Sequence, residues 1–366
     1  MCTRSSEEVE LQKEGNRHFI LVVNTGSTST KLAFFADTET VTSSTVHHAP
    51  EELRGFDGIW NQFNFRTKIV AGWLKELDQV PSAVVGIGGL LRPLAGGTYY
   101  VNDRMIADAK AGIQGEHASN LGCAIAGKIA AEFGCPAFVV DPVSVDEFEN
   151  LARYSGHPLI ERRSLSHALS IHSVVRLAAS KIRKDLSETR FVVGHLGGGI
   201  SVAPVNGGRI IDANDASSDG PFSPERTGGL PLQQFITLCF SGNYSEQEVR
   251  KMVMGKGGLT AYLGTNSARD VEARSESGDE EARTVYQAMA YQISKEIGAM
   301  SAVLNGKIDA IVLTGGLASS RMLTGWIEDR VGFIAPVLVF PGEDEMKSLA
   351  LGALRVLRGE EEAMEY

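Results

Sequence analysis

His195, the three glycines Gly197, Gly198 and Gly199, and Arg226 fall within one stretch, FVVGHLGGGISVAPVNGGRIIDANDASSDGPFSPERTGGLP, from Phe191 to Pro231. Consecutive glycines remove the side chains that would block a ligand and let backbone N–H groups face outward, which suits an anion such as phosphate. A histidine in the same turn and an arginine in the Pro/Gly-rich loop beyond it add hydrogen-bond donors. Together they point to chemistry on negatively charged groups. The elements that must position them are strands. An apolar run at Phe191–Val193, a turn at Gly194–Ser201, a second apolar run, a turn at Asn206–Gly208 and a third run at Arg209–Ile211 predict strand–turn–strand–turn–strand.

An earlier stretch repeats the plan. Phe19–Val23 is apolar and β-prone, NTGSTST (24–30) is a turn rich in hydroxyls, and Lys31 leads into Leu32–Phe35. Two such hairpins, half a chain apart, suggest two related domains that each offer a phosphate-gripping turn. The plainer alternative is two ordinary hairpins, since turns of this composition are common.

Further candidates are scattered along the chain. Arg92 is the only charge in GGLLRPLAGGTYYVN before Asp103; an arginine so placed pairs with a carboxylate, either of the protein or of a ligand. His117 precedes a helix expected from near Ser119, and a helix N-terminus favours an anion. Asp141 ends the expected strand Ala137–Val140, a position that points into a ligand crevice or caps a turn. The segment 161–186 reads as one long amphipathic helix carrying His167 and His172. Residues 232–254 read as helical, and a loop and capped helix follow with Arg269 and Asp270. Ala310–Leu313 opens into TGGLASS with Gly315 and Gly316, a strand–glycine–helix pattern suited to a nucleotide. After the last expected strand, Val337–Phe340, the run PGEDEM places Glu343, Asp344 and Glu345 at a helix start. Acids there complement the helix dipole or serve magnesium, directly or through water.

Composition narrows the field. A chain of 366 residues suggests two domains. With 43% hydrophobic and 22% charged residues it reads as a soluble globular protein, and a net charge of -10 argues against a general nucleic-acid-binding role. The four cysteines, Cys2, Cys123, Cys135 and Cys239, form no CxxC pair, so reduced thiols are expected. Residues 1–18 are polar and read as an N-terminal extension without the apolar core of a signal peptide. No stretch is apolar enough to span a membrane, and the cytoplasm is the expected compartment. The P-loop, the GxGxxG fingerprint, the Ser nucleophile elbow and HExxH are all missing. A nucleotide site would have to be assembled from the two hairpins and the TGG turn, as in actin-like ATPases and sugar kinases.

Here a resemblance enters. NTGSTSTK (24–31), RPLAGG (92–97), GHLGGGISV (194–202), DGPFSPERTGGLP (219–231), LTGG (313–316) and FPGEDEM (340–346), in that order, resemble the butyrate kinases of the acetate kinase family, within the actin-like superfamily. The resemblance runs from about residue 19 to 360, and departs from the family where Thr25 stands in place of the usual proline. It implies an α/β fold of two RNase H-like (actin-like ATPase) domains flanking an active-site cleft. The expected domains are 19–145 with 346–366, and 146–345. It also implies reversible, ATP-dependent phosphorylation of a short-chain fatty acid to an acyl phosphate with release of ADP. By resemblance, Arg92 and Arg226 clamp the carboxylate and the transferring phosphoryl group, with Leu94 and His117 near the acid. His195 and His167 donate to phosphoryl oxygens. Asp141 orients an arginine or a metal-bound water, since a fatty acid is already ionised at pH 7 and needs no base. Asn24 and Glu345, with Glu343 as alternative, serve Mg²⁺. Ser27, Thr28 and Lys31 belong to the first phosphate hairpin and Gly197–Gly199 to the second. Gly315 and Gly316 approach the ribose or α-phosphate, and Arg269 the adenine. A homo-oligomer, dimer or larger, is implied too.

Two rival readings remain at this level. One is a related kinase for acetate, propionate, isobutyrate or a branched-chain acid, because each methylene changes discrimination by only about 1–3 kcal/mol. The other is an actin-like ATP switch that transfers no phosphoryl group to a small acid; it has no use for both Arg92 and Arg226.

Overall fold

The computed structural model describes residues 17–342 and 344–366. Most of the expected N-terminal extension, with Cys2, and the magnesium candidate Glu343 lie outside the described residues. The chain divides into two compact units, one comprising the chain up to Ser144 together with Asp344–Tyr366, the other Val145–Glu343.

The first unit is built on a six-stranded sheet in the order β3-β2-β1-β4-β6-β5. Its strands are β1 (Phe19–Thr25), β2 (Ser29–Ala36), β3 (Glu39–His47), β4 (Ala83–Gly86), β5 (Thr98–Tyr100) and β6 (Ala137–Val140). The three strands β1, β2 and β3 form an antiparallel meander, and β4 and β6 continue the sheet parallel to β1. From Ile20 to Thr25 every β1 residue is buried, whichever face its side chain points to. Such a strand has both sheet faces covered. One face packs on the helices Phe63–Leu77 and Asn120–Phe133, in a core of Leu21, Val23, Phe34, Val70, Leu74 and Ile125. Full burial of each such side chain contributes about 1.5–3 kcal/mol. The C-terminal helix Glu345–Leu357 returns to this unit, with its N-cap Asp344 accepting from the Lys347 amide at 2.9 Å.

The second unit repeats the topology. Its five strands run in the order β11-β10-β7-β8-β9. They are β7 (Arg190–Leu196), β8 (Ile200–Asn206), β9 (Arg209–Ile210), β10 (Ala310–Gly315) and β11 (Val337–Pro341). Again a three-stranded antiparallel meander is extended by parallel strands, β10 on β7 and β11 on β10. The long helix Glu280–Val303 buries Tyr286, Met289, Ile293 and Ile297 against this sheet, beside Val192, Val202, Ile311 and Leu313. Each unit is thus an RNase H-like α/β domain.

Three local expectations change. His195 lies within β7, not in the turn, because the ladder continues through His195↔Ser201 and Leu196↔Ile200 and leaves only Gly197–Gly199 to turn the chain. The helix expected over 161–186 runs only from Ala168 to Ile182. Residues 161–167 direct their bonds elsewhere: the Arg162 amide donates to Arg153 O and the Ser164 hydroxyl to Val145 O. His167 therefore sits at the N-cap position rather than on the helix. The helical stretch over 232–254 is two helices, Leu232–Cys239 and Glu246–Val253, parted by the turn-forming residues SGNYS.

Candidate active site

In the second unit the β7–β8 hairpin gathers most of the predicted residues. The His195 ring is buried and its Nδ1 hydrogen-bonds with the Ser170 hydroxyl at 2.9 Å. His167 Nδ1 does the same with Ser201 at 2.9 Å. Register explains the meeting, since Ser201 is the cross-strand partner of His195. The two imidazoles stack, with centroids 4.0 Å apart and planes 14° from parallel. Two cations so close would repel strongly, and desolvation also disfavours the charged form. Burial first, then the nearby Arg226, pushes His167 down to about 4. Burial and His167 hold His195 well below its ordinary value. Both rings are neutral at pH 7 and act as oriented hydrogen-bonding groups rather than as charges.

The glycine turn is shaped by its neighbours. A Cβ on Gly197 would meet His195 Nε2 at 3.1 Å, so the turn folds back over that ring. A Cβ on Gly199 would collide with the Arg226 guanidinium, so only glycine lets the arginine lie against the turn. Arg226 Nη1 donates to Ala216 O at 3.0 Å, which fixes the fork. Its Nε is buried and has no hydrogen-bond partner among the described residues. A buried, unpartnered donor on a charged group is costly, and an anionic ligand on the turn would satisfy it. The Ser223 hydroxyl donates to Gly198 O at 2.6 Å and ties the PFSPER loop to the same turn.

Thr314 and Gly315 of the TGG run lie within β10, and Thr314 pairs in register with His195. Gly315 has φ +89° and passes against the backbone of Leu196, where a Cβ would strike the carbonyl. Gly315 is buried and Gly316 exposed. Arg269 is exposed on the first turn of the helix Ala268–Glu276 and makes no ion pair or hydrogen bond with another predicted site residue among those described.

In the first unit, β1–β2 forms the other hairpin, with Gly26, Ser27 and Thr28 at its turn. Asn24, buried at the end of β1, donates from Nδ2 to Glu345 Oε2 at 2.9 Å. Chain return by the C-terminal helix makes this pair, across 321 positions of sequence. No cluster of three or more His, Cys, Asp or Glu that could hold a metal exists among the described residues. An amide and one carboxylate fit magnesium that keeps waters and leans on substrate phosphates, rather than a closed protein cage. Ser27 Oγ hydrogen-bonds with His117 Nε2 at 3.4 Å, and His117 Nδ1 with Ser119 Oγ at 2.8 Å. Burial, reinforced by Arg66, lowers the His117 pKa. Lys31 is exposed on β2.

Arg92 pairs with a carboxylate of the protein, Asp108. Its Nε and Nη2 grip Asp108 bidentately at 2.6 and 3.0 Å. The Tyr366 hydroxyl closes a ring, accepting from the Arg92 amide at 3.0 Å and donating to Asp108 at 3.1 Å. This pairing raises the Arg92 pKa and lowers that of Asp108. Leu94 packs against the core of Leu91, Tyr99 and Met105. Asp141 is buried in a left-handed conformation, φ 40°, and accepts from the Gly97 amide at 2.7 Å, so it anchors the end of the RPLAGG loop. Sequence reading missed Asp108, Tyr366, Ser170 and Ser201, whose roles depend on partners remote in sequence. It also missed Arg66, although a 3.6-residue period places Arg66 on one stripe with Val70 and Leu74.

The family model of the Acetokinase family matches residues 152–324. Butyrate kinase 2 of Clostridium acetobutylicum is 49% identical over 351 residues, covering 95% of this chain and 99% of its own. A probable butyrate kinase of Listeria innocua is 47% identical over 352 residues, covering 95% and 99%. Among solved structures, Porphyromonas gingivalis acetate kinase superposes with a TM-score of 0.77 at 17% identity, covering 93% of this chain and all of that one. A propionate kinase of Francisella tularensis gives 0.72 at 19% identity, covering 92% and 98%. The chain belongs to the acetokinase family, on its butyrate kinase branch.

Proposed function

We propose that butyrate is the acid this kinase phosphorylates, with ATP as donor, magnesium as the ion on the nucleotide, and butyryl phosphate and ADP as products. The observation that carries the reading is the Nε of Arg226, unpartnered among the described residues, beside Gly199, where a Cβ would meet the guanidinium. The Clostridium acetobutylicum and Listeria innocua relatives named butyrate kinases support the choice of acid.

A carboxylate and a γ-phosphate are both anionic, so transfer depends on positioning and on charge screening rather than on a base. Arg226 holds the transferring group from above the Gly197–Gly199 turn. Its planar fork bonds two oxygens at once. His195 and His167, neutral and fixed by Ser170 and Ser201, donate to phosphoryl oxygens as charge spreads over them. Backbone N–H groups of the glycine turn add to this, and Ser27, Thr28 and Lys31 serve the other hairpin. Arg92, oriented by Asp108 and Tyr366, meets the acid's carboxylate, with Leu94 and His117 beside its chain and Asp141 holding the loop. Gly315 and Gly316 give the nucleotide close access to the backbone, and Arg269 faces the base. Asn24 and Glu345 would hold magnesium, which supplies charge neutralisation on the phosphates when bound. The family resemblance implies a homo-oligomer; the helix Leu232–Cys239, which buries none of its residues and exposes Leu232 and Ile236, supports a self-association surface.

The test is kcat/KM with Mg·ATP for acetate, propionate, butyrate, isobutyrate and isovalerate, trapping acyl phosphate with hydroxylamine. Butyrate is expected to lead, with Arg92→Ala raising its KM by tenfold or more. A lead for acetate or isovalerate would replace the acid and keep the mechanism. No acid-dependent turnover would overturn the reading.

A further inference from the structure

Arg66 is the largest fully buried side chain of the described residues, with no exposed surface. It sits on the core stripe of the helix Phe63–Leu77, where a leucine would be the ordinary choice. Its guanidinium donates to Gln62 Oε1 from Nε at 3.0 Å and from Nη2 at 2.9 Å. It also donates to Ser29 O at 2.8 Å, Thr30 Oγ1 at 3.1 Å and Ser27 O at 3.4 Å. Every one of these acceptors is neutral. No ion pair offsets the charge among the described residues, and burial alone pulls its pKa down. Buried charges are ordinarily paired, because an unpaired one is expensive to desolvate. Two of the five bonds end on carbonyls of the Ser27–Ser29 turn. Around that turn burial first, and the Arg66 charge second, lower His48, which hydrogen-bonds Thr30 at 2.9 Å, and His117, which touches Ser27.

We propose that Arg66 is a positioning residue of the phosphate site, holding the Ser27–Ser29 turn from beneath by its carbonyls while its unneutralised charge is balanced by the anionic phosphates of the nucleotide bound at that turn. The inference rests on the assignment of the first hairpin to nucleotide phosphates. It explains why a guanidinium occupies a core position: an apolar side chain would stabilise the empty fold, but would leave the turn without fixed carbonyls and without positive charge. Arginine suits the place because one planar fork reaches several acceptors and stays charged when buried.

The experiment compares ADP with adenosine, which share a base and ribose and differ in phosphate charge. Dissociation constants of both are measured by calorimetry for the wild type, Arg66→Gln and Arg66→Lys. Arg66→Gln keeps a hydrogen-bonding amide and removes the charge; it is expected to weaken ADP at least tenfold and adenosine less than twofold. Arg66→Lys keeps a positive charge without the fork and is expected to weaken ADP less than Arg66→Gln does, and adenosine less than twofold. Equal weakening of ADP and adenosine in either variant would mean a purely structural residue and overturn the proposal, as would ADP binding unchanged in Arg66→Gln. If Arg66→Gln does not fold, Arg66→Lys decides: ADP weakened tenfold or more with the charge retained would also overturn it. Turnover of butyrate is recorded separately. A wild type that binds ADP in an Arg66-dependent way but phosphorylates no acid would sink the kinase reading and leave this inference standing.

Discussion

The two hairpins, β1–β2 and β7–β8, share a topology and differ in where they keep positive charge. Under the first turn lies Arg66, sealed in the core and bonded to the turn's own carbonyls. Against the second turn lies Arg226, with a glycine cleared to admit it and one donor left over. The first turn offers hydroxyls, Ser27 and Thr28; the second offers bare backbone and two neutral histidines. An anion can be attracted by a charge behind a turn or gripped by a charge in front of it. On the proposed reading, the second arrangement would set the guanidinium against the reacting group, and the β7–β8 hairpin would stabilise the transition state.

The comparison can be broken from either side. Arg226→Ala is expected to lower kcat about 10³-fold, as loss of a transition-state arginine does, measured by hydroxylamine trapping at saturating acid and ATP. A loss of under tenfold would mean that the charge in front is no more than a binding contact. The glycines give a sharper contrast. Gly199→Ala is expected to cost about 10²-fold in kcat/KM by displacing Arg226. At the first turn a Cβ on Gly26 would come only as near as 3.4 Å to Ser29 Oγ, so Gly26→Ala is expected to stay within about threefold. Similar losses from both substitutions would erase the distinction.

A third difference concerns protons. His167, lowered to about 4, and His195, held well below its ordinary value, are neutral in the folded protein, while in the unfolded chain they take up protons below about 6.5. Their contribution to stability is complete above pH 6.5 and is lost as pH falls towards 4. Thermal melts should show Tm dropping through that window by roughly 5 °C more in the wild type than in His167→Gln. Asp219 works in the opposite sense. Burial pushes it up to about 6, so its contribution to stability falls as pH rises from 3.8 to 6. Asp219→Asn should therefore raise Tm at pH 8 relative to wild type. The smallest effect is expected at the first turn's rim: Ser27→Ala, which removes one exposed 3.4 Å bond to His117, should change KM for ATP by about threefold or less. A thirtyfold change would place that hydroxyl on the phosphate itself.

Much of the site was legible because its signals are local. Three consecutive glycines, an arginine between proline and glycine, and the Asn24–Lys31 run announce themselves by type and spacing, and the order of the motifs names the family. Strand placement was legible for the same reason, since buried strands read as apolar runs. What failed was local pattern under tertiary override. Residues 161–167 have helical periodicity, yet Arg162 and Ser164 bind distant carbonyls and the helix starts at Ala168. Polarity placed His195 in a turn, but the ladder to Ser201 carried it into the strand.

By itself, then, the sequence determined the repeated hairpins, the glycine turns and the family, because these depend on residue type within a few positions. Tertiary structure alone decided which groups face which. It paired Asn24 with Glu345 and Arg92 with Asp108 and Tyr366. It buried His167 and His195 against each other, where desolvation leaves both neutral, and it left Arg66 charged with no counterion among the described residues. Those outcomes turn on desolvation and on distances of 3–4 Å between residues tens to hundreds of positions apart, which no pattern along the chain encodes.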